Sequence, residues 1–129
     1  MRRSDQRRDA VFAVYQRQVT GRPLEELLAD AKPFTREIAT GTDEHSESID
    51  AEIAGLSRSW AIERIAPLEL AIMRVALFEL HHSPEVPAEV AIDEAVGFAQ
   101  EFCGTDAPDF VNGILGAAAR QAGAVGGAT

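Results

Sequence analysis

The run from Pro67 to His81, reading PLELAIMRVALFELH, constrains the fold of this chain more than any other stretch. Proline stands at its first position, where the missing N–H costs a helix nothing, and no glycine or proline interrupts it. It is apolar almost all round. A helix of that kind has no face to give to water and must be enclosed by other elements. No window holds about 18 consecutive apolar residues, the length a membrane-crossing helix requires. The segment is therefore expected to be the central, buried helix of a globular domain.

The rest of the chain supplies helices to enclose it. A first helix is expected from Ser4 or Asp5, either of which can cap it, to Val19. Val11, Phe12, Tyr15 and Val19 form its apolar stripe, and Thr20-Gly21-Arg22-Pro23 ends it. A short second helix spans Pro23 to about Ala31, with Leu24, Leu27 and Leu28 inward. A third runs from Pro33 to about Leu56 on Phe34, Ile38, Ile49, Ile53 and Leu56, with a bend or interruption at Gly41-Thr42-Asp43. Ser59 can cap a brief helix through Trp60, Ile62 and Ile65. After the central helix comes a two-proline loop, Ser83 to Pro87. A helix to Phe102 follows, with Val90, Ala91, Ala95, Phe98, Ala99 and Phe102 on one stripe. A last helix starts after Thr105 or Asp106 and ends near Ala122, with Phe110, Val111, Ile114, Leu115 and Ala118 inward. Strand signals are poor. The expectation is an all-α, single-domain bundle of about seven helices over residues 1–122, followed by a disordered Gly/Ala-rich tail at 123–129.

With 129 residues, one core suffices. The single cysteine, Cys103, excludes an internal disulfide. With no apolar leader after Met-Arg-Arg, this points to the cytoplasm. The net charge of −9 argues against a general nucleic-acid binder, but the charge is unevenly placed. Residues 1–22 carry six arginines (Arg2, Arg3, Arg7, Arg8, Arg17, Arg22) against two aspartates, a balance of +4. Residues 23–129 carry six basic and nineteen acidic residues, a balance of −13. An acidic body with a basic leading segment hints at a nucleic-acid contact; a solvated basic helix end is the plainer alternative.

Signs of catalysis are thin. His81 and His82 are adjacent and point to different faces of a helix end, where a cationic histidine is favoured by the dipole. His45 lies among acids. Cys103, beside a glycine, has no evident activating partner and reads as an inert, half-buried thiol. Neither GxGxxG nor GxxxxGK[ST] occurs, and Glu63, Glu69, Asp93 and Glu94 show no acid–base pairing. No enzyme, metal or cofactor is expected. Arg3 and Arg7, four apart, share one helical face, and guanidinium groups bind phosphates bidentately. Tyr15 can stack on an unpaired base with its rim or pack its ring in the core. Few arginines on an acidic body predict modest autonomous affinity, so a second protein on the same RNA is expected to help.

Three blocks carry a resemblance: Trp60 through Leu80, Val86 through Val96 (with Asp93-Glu94), and Asp109-Phe110-Val111-Asn112-Gly113-Ile114-Leu115. With the Arg-rich opening and Ala-Val-Tyr15-Gln16, the chain resembles the NusB antitermination factors over roughly residues 2–120, weakly between 23 and 58. The resemblance implies an all-helical RNA- and protein-binding adaptor. Its members bind the boxA element of ribosomal RNA leader transcripts together with the ribosomal protein NusE, and help RNA polymerase read through terminators.

By the same resemblance, Arg2, Arg3, Arg7, Arg8 and Tyr15 match the RNA-contacting first helix. Asp106 matches a position near the RNA surface, and Glu69 one on the NusE-facing side. Arg74, Glu79 and Asn112 match motif residues, read here as buried hydrogen-bonding groups that fix helix packing. Charge reversal of Arg3 and Arg7 is expected to abolish boxA binding with melting nearly unchanged. The competing reading is a helical homodimeric interaction module that binds no RNA directly.

Overall fold

The computed structural model describes residues 2–58 and 60–127. Ser59, expected to cap a brief helix, lies outside the described residues, as do positions 128 and 129 of the expected tail. Among the described residues there are seven α-helices and no strand: α1 (Arg3–Thr20), α2 (Leu24–Leu27), α3 (Pro33–Glu44), α4 (Ser46–Leu56), α5 (Pro67–His82), α6 (Ala88–Phe102) and α7 (Ala107–Gly127). A single 3-10 turn spans Ile62–Arg64.

Helix α5 is the axis of the bundle and packs against α1, α3, α4, α6 and α7. Nine consecutive or near-consecutive side chains from Leu70 to Glu79 are buried, Arg74 alone being half-exposed. The apolar run thus meets the enclosure its composition demands. Around it lie Ala10, Val11 and Val14 of α1, Phe34 and Ile38 of α3, Ile49 and Ile53 of α4, Phe98 and Ala99 of α6, and Val111, Ile114 and Leu115 of α7. Burying side chains of this size contributes about 1.5–3 kcal/mol each relative to leaving them in water.

Several local expectations change. The third predicted helix is two, but the break falls at His45 (φ −102°, ψ 17°) rather than at Gly41-Thr42-Asp43. Gly41 stays helical because its missing Cβ admits the Phe78 ring of α5, which a side chain there would strike. Thr42 is also helical, and its hydroxyl donates to the Ile38 carbonyl at 2.6 Å. Helix α1 begins at Arg3 with no side-chain cap; Ser4 instead donates its hydroxyl to Glu94 Oε1 at 2.7 Å, tying α1 to α6. Its end is as expected: Gly21 takes φ 73°, a left-handed stop, and donates its N–H to Arg17 O. Val19, Val90 and Phe102, at the ends of two predicted apolar stripes, are exposed. Helix α7 reaches Gly127, beyond the expected end near Ala122.

Candidate nucleic-acid interface

Four of the six arginines of the basic leading segment, Arg3, Arg7, Arg8 and Arg17, lie on α1, and the helix sorts them by direction. At about 100° per residue, Arg3 and Arg7 lie on one face and Arg8, Phe12 and Tyr15 on another. The first face turns toward α3 and the second toward α6. Thr35 of α3 donates its hydroxyl to the Gln6 carbonyl at 2.9 Å, fixing the first of these contacts.

On the α3 side, the exposed Arg3 guanidinium lies over the Phe34 ring, 4.4 Å from its centroid. Arg7 lies deeper, and its expected role does not fit its position. It is only 9% exposed, and its Nε–H is shared between both carboxylate oxygens of Glu79, at 2.7 and 3.0 Å. Glu79 is 1% exposed. A second carboxylate, Glu94, stands 3.8 Å from Arg7 Nη1, and Phe34 lies 5.3 Å from its guanidinium carbon. Arg7 is thus committed to the interior. Reversing its charge would set three carboxylates against one another at this buried site, so the Arg3/Arg7 reversal would lower melting, contrary to expectation.

On the α6 side, Arg8 pairs with Glu101 and lies over Phe102 at 5.7 Å. Phe12 continues this face against Phe98 and Phe102, with ring centroids 5.3 and 5.5 Å apart. Tyr15 follows, half-buried against the core. Arg2 is fully at the surface, 3.8 Å from Asp5. A cleft of about 400 Å³ opens between α1, α5 and α6, floored by Val11, Val75 and Ala76 and edged by Arg8, Asp93 and Glu94.

Glu69 and Asp106, far apart in sequence, share a second hollow of about 370 Å³ with Trp60, Arg64, Ile65 and Phe110. It lies where α5 and α7 begin, beside the loop that follows Phe102. The α6-facing stripe of α1 therefore runs along α6 toward Asp106. Burial raises the Glu69 carboxyl above the ordinary carboxylate range. Burial, then the neighbouring Glu69, raises the Cys103 thiol. Trp60 is 52% exposed at the rim.

Of the motif residues, Glu79 is buried as expected. Arg74 is half-buried, forking onto Asp50 with two 2.8 Å bonds and reaching Gln18 at 2.9 Å, which joins α5 to α4 and α1. Asn112 is exposed on α7, against expectation. Both histidines lie in the last turn of α5, where His81 meets Glu52 at 2.8 Å and His82 stacks on His45 with ring centroids 4.0 Å apart. Burial first, then His45 and His81, lower the His82 pKa.

Among the described residues no cluster of three or more His, Cys, Asp or Glu side chains could hold a metal. No helix among them is long and apolar enough to cross a membrane. Sequence reasoning missed Phe34, Glu94, Glu101 and Phe102, the residues that hold the arginines. Phe34 and Phe102 read only as apolar stripe positions and Glu94 only as part of a resembling block, and each stands far in sequence from the arginine it meets.

The model of the NusB family matches residues 4–120. The Transcription antitermination protein NusB of Rubrobacter xylanophilus is 37% identical over 122 residues, covering 89% of this chain and 88% of that protein. The solved structure of T. maritima NusB superposes with a TM-score of 0.87 at 26% identity, covering 93% of this chain and 92% of the other. A chain from the crystal structure of the antitermination factors NusB and NusE in complex with dsRNA superposes with a TM-score of 0.79 at 21% identity, covering 92% and 96%.

Proposed function

Since the chain belongs to the NusB family, we propose that it binds the boxA element of ribosomal RNA leader transcripts jointly with NusE, and thereby supports read-through by RNA polymerase. The observation that carries this reading is the placement of the positive charge. Arg2, Arg3 and Arg8 stand at the surface of one helix end, on a body that is otherwise acidic. Guanidinium groups so placed meet phosphates in bidentate fashion, and the Tyr15 rim lies two turns along the same stripe as Arg8. Arg7 supports the interface from beneath by fixing α1 on Glu79.

The Glu69–Asp106 hollow is the surface we assign to the junction of NusE and RNA. It adjoins the end of the α1–α6 stripe, so one partner can cover both. Family members have been crystallised as NusB and NusE together with dsRNA. The reading gives the chain no chemical step. It works in the cytoplasm as an adaptor whose weak RNA contact is strengthened when a second protein holds the same strand.

The test is a titration of boxA RNA with and without NusE at two salt concentrations. Weak binding alone, tighter binding with NusE, and loss at the higher salt are expected. No RNA response with NusE present, together with a dimeric mass by light scattering, would sink this reading in favour of a homodimeric module without RNA.

A further inference from the structure

Arg8 differs from the other surface arginines of α1 in being neutralised by an acid from another helix. Glu101 lies ninety-three positions away on α6, and its carboxylate takes the Arg8 guanidinium. The two side chains are 40% and 47% exposed, so the pair stands where an incoming phosphate would arrive. Arg3 faces a ring, Phe34, and has no carboxylate partner among the described residues. Asp5, near Arg2, is one turn along the same exposed helix and 3.8 Å away.

A carboxylate and a phosphate compete for the same N–H fork. We propose that Glu101 sets the RNA affinity of this protein by occupying Arg8 in the free state, so that a phosphate of bound RNA must displace it. The inference rests on the RNA-binding reading above. Phe102 makes the exchange workable: its ring lies 5.7 Å from the Arg8 guanidinium carbon and keeps that group against α6 after the carboxylate has left. An exposed pair of this kind adds little to folding, so it can open without unfolding α6.

The experiment measures binding of a synthetic boxA RNA oligonucleotide, with NusE present and salt fixed, to four proteins: wild type, Glu101→Gln, Arg8→Ala and the double variant. Glu101→Gln is expected to tighten binding roughly two- to fivefold, the range an exposed ion pair spans. The gain should vanish in the Arg8→Ala background, since the two effects share one contact. Glu89→Gln, which removes the same charge from the exposed first turn of α6, should change binding much less. Circular dichroism melting of Glu101→Gln should match wild type.

If wild type binds and Glu101→Gln gives no gain, the inference is overturned while the RNA-binding reading stands. An undiminished gain with Arg8→Ala, or an equal gain from Glu89→Gln, overturns it too, by tracing the effect to net charge. If wild type itself ignores the RNA, both readings fall.

Discussion

Arg7 and Glu79 form the interior pair on which the orientation of α1 depends. Removing one member of a buried, hydrogen-bonded pair leaves the other charged and unmatched, which costs about 3–5 kcal/mol. Arg7→Ala is therefore expected to lower unfolding stability by that amount in urea titrations. Replacing both members by apolar side chains, Arg7→Met with Glu79→Leu, should recover most of the loss; a mild single variant would refute the role. The sequence revealed half of this. Glu79 lies in an apolar run and had to be satisfied, but its partner is seventy-two positions away. Arg7 looked like its neighbours because a basic residue in an Arg-rich helix gives no local sign of facing inward.

His82 yields a residue-scale prediction of another kind. Its pKa is lowered from 6.5 by burial, then by His45 and His81, so the folded chain holds the neutral ring more readily than the unfolded chain does. Glu52 pairs with the neighbouring His81 at 2.8 Å. Above about pH 6.5 both states are neutral here and the stability is complete. As pH falls below that value the unfolded state takes up a proton first, and stability declines. His82→Gln should flatten the fall in urea midpoint between pH 7.5 and 5.5, and an unchanged slope would assign that fall to other groups.

Among the elements, α3 and α7 show how one residue type carries opposite meanings. A Cβ at Gly41 would strike the Phe78 ring, whereas one at Gly113, exposed within α7, meets nothing within 4 Å. Gly41→Ala should therefore destabilise by about 1–3 kcal/mol through overpacking. Gly113→Ala should stabilise by about 0.5–1 kcal/mol through helix propensity. Paired thermal melts decide both, and stabilisation by Gly41→Ala as well would show that propensity, not packing, governs Gly41. A local reading treats Gly41 as a helix breaker because the α3–α5 approach that needs it is absent from the local pattern. An apolar run opened by proline placed α5, and the hydrophobic period placed α6 and most of α7. It misplaced stripe ends such as Val19 and Phe102, because a helix continues past the edge of the core it covers.

At the scale of the whole molecule, the charge division sets what the protein can do with RNA. A body at −13 repels a polyanion, so attraction is confined to the leading segment, and only its outward arginines count. That separation was legible from charge positions along the chain; which arginines face outward was not, since it follows from α1 lying between α3 and α6. Arg2 and Arg3 are exposed and held only by weak contacts. Reversing both, Arg2→Glu with Arg3→Glu, should cut boxA RNA affinity at least tenfold and leave the melting temperature nearly unchanged. Each phosphate contact to a single strand contributes about −0.7 to the slope of log K against log salt. Loss of two should therefore make that slope shallower by roughly 1.4. A weaker affinity with an unaltered slope would mean that these arginines shape the helix end without touching phosphate, and the RNA path would then follow Arg8 and Tyr15 along α6 alone.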